Sequence, residues 1–85
     1  MQAAFFRQGP RKIVVQLANS NVWTGHGVAA PVRGVEIVGR TARFQPRTAR
    51  LLWPREQTLV LSHGDQWRVL VPEVELHAIV AIELD

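Results

Sequence analysis

The sequence contains no cysteine and no long run of apolar residues. Without cysteine, its 85 residues can form neither a disulfide framework nor a thiolate metal site. No apolar run approaches the roughly 20 residues that a membrane-spanning helix needs, so we expect no membrane span. The N-terminal residues lack the basic start and long apolar middle of a signal peptide, and the compartment stays open.

Recognisable motifs of catalysis, metal binding and cofactor binding are also missing. Neither Ser20 nor Ser62 lies in a Gly-x-Ser-x-Gly context. The histidines His26, His63 and His77 do not have the close spacing of metal ligands. The glycines form no phosphate-binding loop. We therefore predict no catalytic residue, no bound metal and no cofactor.

One pair of carboxylates is close in sequence. Glu73 and Glu75 would share a face if their strand continues past Pro72, and paired carboxylates can hydrolyse glycosidic bonds. A solvated surface beside a proline explains the same pair without catalysis. We therefore expect that the chain is not an enzyme.

Lysine is nearly absent, and the positive charge comes from arginine. Nine arginines and one lysine oppose seven acidic residues, which gives a net charge of +3. Because this excess is slight, we consider nucleic acid an unlikely partner and expect any binding to be weak, nonspecific and strongly weakened by salt. A basic surface for nucleic acid would be built from Arg40, Arg43, Arg47, Arg50 and Arg55.

Alternating apolar residues predict β-strands along the chain, and no segment of ten residues has the apolar stripe of a helix. The predicted strands cover residues 3–7, 12–18, 32–38, 47–53, 58–62, 67–71 and 77–84. Turn residues separate them at intervals of about ten. The pattern predicts one domain, residues 1–85, that is an all-β antiparallel β-sandwich of about seven short strands. A small barrel is the alternative.

The strand patterns also predict which residues lie inside. The strand at 77–84 is apolar on one face and half apolar on the other, which is typical of an interior strand. Pro72 should end its strand or lie at an edge, and Gly34 should mark a bulge or a close backbone approach. The predicted interior residues are Leu17, Val35, Ile37, Leu51, Leu59, Leu61, Val69, Val71, Val80 and Ile82.

The three tryptophans have different expected environments. Trp53 and Trp67 each continue the apolar face of a strand, so we expect both to be buried. Trp23 lies with His26 in the irregular segment 19–31 and is the candidate exposed platform for a carbohydrate. Packing of Trp23 beneath its own loop is an equally consistent interpretation.

The chain has more aliphatic residues than an 85-residue core can hide, since several strands are apolar on parts of both faces. We therefore predict one exposed apolar patch that includes Phe5, Phe6, Val14 and Ile79. Such a patch is typical of a docking surface, and alone in solution it should favour self-association.

Four segments resemble a known domain. FFRQGPRKIVVQLAN (5–19), VRGVEIV (32–38), RTARLLWPREQTLVLS (47–62) and WRVLVPEVELHAIVAIEL (67–84) are similar to the C-terminal β-sandwich of bacterial TIM-barrel glycoside hydrolases of the β-galactosidase and α-fucosidase type. This resemblance covers nearly the whole chain and consists of packing and turn motifs. The chain departs from the family at Gln16, where a histidine is usual.

The resemblance implies a non-catalytic accessory module that packs beside a catalytic barrel, in cis or in trans. Its sandwich would be of the immunoglobulin-like or glycoside-hydrolase C-terminal type. Two alternatives remain: a free-standing carbohydrate-binding module that uses Trp23 and His26, and a weak basic nucleic-acid-binding domain.

Overall fold

The structure, a computed structural model, describes residues 2–19, 22–23, 28–29, 31–41 and 44–84. These residues form ten antiparallel strands and the turns between them, with no helix among them. The strands of the N-terminal half are β1 (Gln2–Arg7), β2 (Lys12–Ala18), β3 (Val22–Trp23), β4 (Val28–Ala29) and β5 (Val32–Arg40). Those of the C-terminal half are β6 (Pro46–Trp53), β7 (Gln57–Thr58), β8 (Val60–Ser62), β9 (Gln66–Val74) and β10 (His77–Leu84).

The fold is a small all-β sandwich, as the alternation of apolar residues predicted. One sheet has five strands in the order β1-β2-β10-β6-β7, and the facing sheet has three in the order β5-β9-β8. The strands β3 and β4 pair with each other in the segment that the sequence indicated as irregular. The strand β10 lies between β2 and β6, which confirms the interior position predicted for it.

The core lies between the two sheets and contains the residues predicted for it. Eight of the ten predicted interior residues are buried, and the other two, Val35 and Leu61, are half-buried against the same cluster. The five-stranded sheet contributes Val15 and Val80, and the three-stranded sheet contributes Val69 and Val71, all fully buried. Alternation placed these side chains correctly because successive residues of a strand point to opposite faces.

The predicted strand at residues 58–62 is divided between the two sheets. Its first residue, Thr58, belongs to β7 in the five-stranded sheet, and its last three residues form β8 in the three-stranded sheet. Leu59 lies between them and is buried in the core, and its backbone N–H donates to the carbonyl of Ala49 at 2.9 Å. The chain changes sheets at this residue, which is one way in which a sandwich closes a corner.

Pro72 does not end its strand. β9 continues to Val74, and Pro72 lies beyond Leu70, the last residue of β9 that pairs with β8. In that region β9 has a described neighbour on one side only, which confirms the predicted edge position. A proline without an N–H is tolerated where a strand has a free side.

Asn19 fixes the turn between β9 and β10. Its side chain is buried, and its amide Nδ2 donates to the carbonyl of Glu75 at 2.7 Å. Its backbone N–H donates to the carbonyl of Leu76 at 2.9 Å. Both bonds join the end of β2 to residues more than fifty positions away in the sequence, so Asn19 couples the two halves of the chain.

Replacing Asn19 by aspartate is expected to destabilise the domain by about 1–3 kcal/mol, the penalty for leaving a buried polar group unsatisfied. The aspartate has the same shape but cannot donate to the Glu75 carbonyl. Urea unfolding followed by circular dichroism measures the loss. Gln16→Glu makes the same amide-to-carboxylate change at an exposed position of β2 and is the control. Equal stability of the two variants would contradict the role assigned to Asn19.

Candidate functional site

The side of the five-stranded sheet that faces away from the core carries a mostly apolar surface. Residues directly opposite one another in an antiparallel ladder point to the same face, so the register identifies this surface. Two neighbouring rows run across the sheet from β1 to β6. We call these eight residues the apolar face: Ala4, Gln16, Ile79 and Trp53 in one row, and Phe6, Val14, Ala81 and Arg50 in the other.

The two aromatic residues of the apolar face lie at its opposite margins. Phe6 is 49% exposed on β1, and Trp53 is 56% exposed on β6. Three interstrand spacings of about 4.8 Å separate these strands, so the two strands are about 14 Å apart. Val14 and Ala81 are buried between them, and Ile79 is half-buried. The result is a mainly aliphatic floor, which also contains the exposed Gln16, with an exposed aromatic ring at either side.

Three of the four residues of the predicted docking patch lie on this face. Phe6, Val14 and Ile79 share it, whereas Phe5 points to the opposite side of β1, because neighbouring residues of a strand alternate. Val14 is buried, so the expectation of an exposed side chain there was wrong. Valine is short and lies on an interior strand with neighbours on both sides, which explains its low accessibility.

Trp53 was expected in the core and lies instead on the apolar face. The register between β10 and β6 shifts at this point: Val80 pairs with Leu51, but Ile79 pairs with Trp53. This irregularity adds one residue, Leu52, to β6 and reverses the alternation after it. Simple alternation therefore placed Trp53 with Leu51, on the wrong side. Trp67, by contrast, is buried as predicted.

The side chains of Trp23 and His26, the predicted carbohydrate platform, lie outside the described part of the structure. His26 lies outside the described residues, and of Trp23 only the strand pairing of β3 with β4 is known. Their role remains a prediction. Among the side chains that the structure does describe, Trp53 is the tryptophan with an exposed indole ring.

The paired carboxylates line one small cleft. Glu73 and Glu75 are both at its wall, together with Arg55 and Gln57, and its volume is about 120 Å³. Typical ligand pockets begin at about 300 Å³. Glu73 forms an ion pair of 3.7 Å with Arg33, and Glu75 is exposed. Neither residue is buried among apolar side chains, as the general acid of a glycosidase commonly is.

The described arginines of the predicted basic surface lie on different parts of the sandwich. Arg40 ends β5 in the three-stranded sheet, whereas Arg47 and Arg50 lie on β6 in the five-stranded sheet. Arg47 pairs with Glu83 at 3.9 Å, and Arg50 pairs with Glu56 at 3.3 Å. Arg55 lines the carboxylate cleft, and Arg43 lies outside the described residues. This distribution gives no continuous basic strip for a phosphate backbone.

Within the described ranges, no group of three or more histidine, aspartate or glutamate side chains could hold a metal ion. His63 has a local structural contact, since its Nε2 lies 2.9 Å from the carbonyl oxygen of Pro46. The described part of the chain also contains no helix long and apolar enough to cross a membrane.

Comparison with known proteins gives no relative. No protein-family model, no curated protein and no solved structure matches the chain. The resemblance to the C-terminal sandwich of glycoside hydrolases therefore remains a hypothesis from the sequence. What is established is an antiparallel sandwich with an apolar outer face.

Proposed function

We propose that the chain is a non-catalytic accessory module that docks, through its apolar face, onto a catalytic barrel domain of a carbohydrate-active protein. The observation that supports this proposal is the exposure of Trp53 and Phe6 on either side of an aliphatic floor. A contiguous exposed apolar area on a folded surface often marks a site that a partner covers.

The composition of the apolar face fits a protein interface. Its central strands contribute valine, alanine, isoleucine and one exposed glutamine, Gln16, its margins contain two aromatic residues, and Arg50 is its single charged residue. Interfaces are depleted in charge at the centre, and tryptophan and arginine supply much of their binding energy. Arg50 is paired with Glu56 at the rim, where water remains accessible. The face therefore has both an apolar anchor and a polar border.

The outer face of the opposite sheet is less suited to docking. Val38, Val60 and Leu70 are exposed there, but an ion pair crosses the same surface. Arg68 donates a hydrogen bond to Glu36 at 3.2 Å, and both residues lie on strands of that sheet. A partner covering this surface would have to desolvate two charges, which offsets much of the gain from apolar contact.

The nature of the partner rests on the sequence resemblance alone. In the family that the chain resembles, the sandwich packs beside a barrel that carries the catalytic carboxylates. The exposed aromatic residues of the apolar face are what supports a docking role for this chain. The partner could be joined to the module or be a separate chain.

A second candidate function, carbohydrate binding, is favoured by the exposure of Trp53. An indole ring on a flat sheet can stack against the apolar face of a sugar ring, and Gln16 in the same row can bond its hydroxyl groups. Titration of the intrinsic tryptophan fluorescence with soluble oligosaccharides separates the two functions. Saturable quenching by a sugar, lost in Trp53→Ala, would favour the carbohydrate-binding module.

The docking proposal predicts that Trp53→Ala and Phe6→Ala each weaken binding to the barrel domain by at least about tenfold. The barrel is the one encoded in the same gene or the neighbouring gene. Isothermal titration calorimetry measures the affinity, and amide hydrogen exchange locates the contact, which should protect β2 and β10.

Val60→Ala is the matched control, because Val60 is 68% exposed on the opposite sheet. It should bind as the unchanged chain does. The absence of a barrel reading frame, or a footprint confined to the three-stranded sheet, would contradict the proposed function.

The purified chain is expected not to hydrolyse aryl glycosides above background, because the cleft with Glu73 and Glu75 lacks a desolvated carboxyl group. Release of the chromogenic aryl group at several pH values tests this expectation. Turnover that survives rigorous purification and disappears in Glu73→Gln or Glu75→Gln would show that this pair is catalytic.

A further inference from the structure

The first strand of the chain is an unusually open sheet edge. β1 lies at the margin of the five-stranded sheet, pairs with β2 on one side, and has no described strand on the other. All six of its residues are exposed, including Phe5 at 60% and Phe6 at 49%. An exposed apolar edge of this length is a template for a further strand.

The other edges of the two sheets are protected in recognised ways. β7 has two residues and β8 has three, which is too short for extensive pairing. β5 carries Arg33 and Glu36, and at Gly34 its backbone has a φ of 65°, which departs from a regular strand. Charges, irregularities and short length all discourage pairing with another chain. β1 has six residues and no such backbone irregularity, and it carries one charged residue, Arg7.

The alternation of hydrogen-bonded and non-hydrogen-bonded pairs between β1 and β2 shows which backbone groups of β1 do not bond to β2. The N–H of Gln8 donates to the carbonyl of Lys12 at 2.9 Å, in the same register that pairs β1 with β2. Antiparallel ladders alternate between hydrogen-bonded and non-hydrogen-bonded pairs. The even-numbered residues of β1 therefore bond to β2. The N–H and C=O groups of Ala3, Phe5 and Arg7 point to the open edge.

The single charge of β1 is directed away from that edge. The guanidinium group of Arg7 donates to the carbonyls of Gly9 and Pro10, at 3.3 and 3.1 Å. It also lies 5.5 Å from the centre of the Phe44 ring, within range of a cation–π contact. The Arg7 side chain is thus held against its own hairpin, so its charge does not prevent another strand from pairing with the edge.

We propose that two copies of this chain associate through β1, antiparallel, about a two-fold axis that passes beside Phe5. In this register Phe5 pairs with Phe5 of the second copy, and Ala3 pairs with Arg7. The pairing would form about six backbone hydrogen bonds, two for each hydrogen-bonded pair. The two five-stranded sheets become one continuous sheet, and both apolar faces remain uncovered on the same side.

This register follows from the free groups of the edge. All three outward-pointing residues of each copy find a partner when the axis passes beside Phe5. An axis beside Ala4 or Phe6 leaves one of the three described residues unpaired in each copy, and so forms fewer bonds. The register also places Phe6 opposite Ala4 of the second copy, so that a large side chain meets a small one on the outer surface.

A second copy fits this edge better than a different chain because the strand is complementary to itself. An isologous pairing satisfies the same donors and acceptors on both copies and closes after two molecules. It also brings together two Phe5 rings that lie on the core-facing side of β1 but remain exposed. Cross-strand aromatic pairs stabilise antiparallel ladders.

Sedimentation velocity across a range of protein concentrations tests the proposal. The unchanged chain should pass from monomer to dimer as its concentration rises. Phe5→Lys and Phe5→Glu should each weaken self-association at least tenfold, because like charges then meet at the two-fold axis. An equimolar mixture of the two variants should restore the dimer, since opposite charges then face each other across the axis.

The controls separate this interface from the apolar face. Val60→Lys adds the same charge at an exposed site of β8 and should leave the dimer unchanged. Circular dichroism establishes that the Phe5 variants remain folded. A monomeric unchanged chain at millimolar concentration, or a mixture that stays monomeric, would overturn the proposal. So would self-association that persists in Phe5→Lys and disappears in Trp53→Ala, because the contact would then lie on the apolar face.

Discussion

Replacing Val69 by aspartate is expected to unfold the domain. Val69 is fully buried on β9, between Ile37 of β5 and Leu61 of β8, and points into the core. An unpaired charge at such a position costs several kcal/mol, or forces the carboxyl group to become neutral at a comparable expense. A domain of this size is stable by about 5–15 kcal/mol at most, and small domains lie at the lower end.

The neighbouring residue provides a matched control. Leu70 follows Val69 on the same strand but points to the outer side, where it is partly exposed. Leu70→Asp should therefore keep a cooperative thermal transition, which circular dichroism can follow, whereas Val69→Asp should show none. Ile82→Asp, in the centre of the other sheet, should behave as Val69→Asp does. A folded Val69→Asp chain would mean that the two sheets do not enclose the core as described.

Alternation of apolar residues predicted most of the sandwich because the two sheets bury one face of each of their long strands β2, β5, β6, β9 and β10. The pattern at residues 77–84 even identified β10 as an interior strand. The same reasoning failed at Trp53, because one extra residue in β6 reverses which face of the sheet the following side chains point to. Nothing in the local sequence indicates this extra residue. A tryptophan that was assigned to the core thus became the most prominent residue of the candidate site.

The site was predicted less completely than the core because it depends on strand order. Phe6, Val14 and Ile79 come from three strands, and only the order β1-β2-β10 places them side by side. The sequence indicated that these residues were in excess of the core, but it could not indicate which of them share a face. The open edge of β1 also follows from the strand order, and no motif within residues 2–7 predicts it.

The two glycines of β5 illustrate a contact that sequence patterns do not reveal. Gly34 was predicted to allow a bulge or a close approach. It has a φ of 65° and open space where a Cβ would lie, so its role is conformational. The close approach occurs at Gly39 instead, where an added Cβ would overlap the indole ring of Trp67 on β9. Gly39 and Trp67 are directly paired across the ladder.

Gly39→Ala is therefore expected to destabilise the domain by about 1–3 kcal/mol, the usual penalty for overfilling a packed interior. The added methyl group must displace the Trp67 ring, which is 4% exposed and held within the core. Urea unfolding gives the change in stability. Gly64→Ala is the control, since its Cβ would meet only the carbonyl oxygen of Gln66 at an ordinary 3.6 Å.

A double-mutant cycle with Trp67→Phe tests whether the indole ring is the cause. The clash involves the six-membered ring and Nε1 of the indole, and phenylalanine lacks the second ring. Nε1 is also buried without a hydrogen-bond partner among the described residues, so its removal leaves no new unsatisfied group. Gly39→Ala should cost less in the Trp67→Phe background than alone, by about 1 kcal/mol. Strict additivity of the two changes would show that the demand for glycine at position 39 does not come from Trp67.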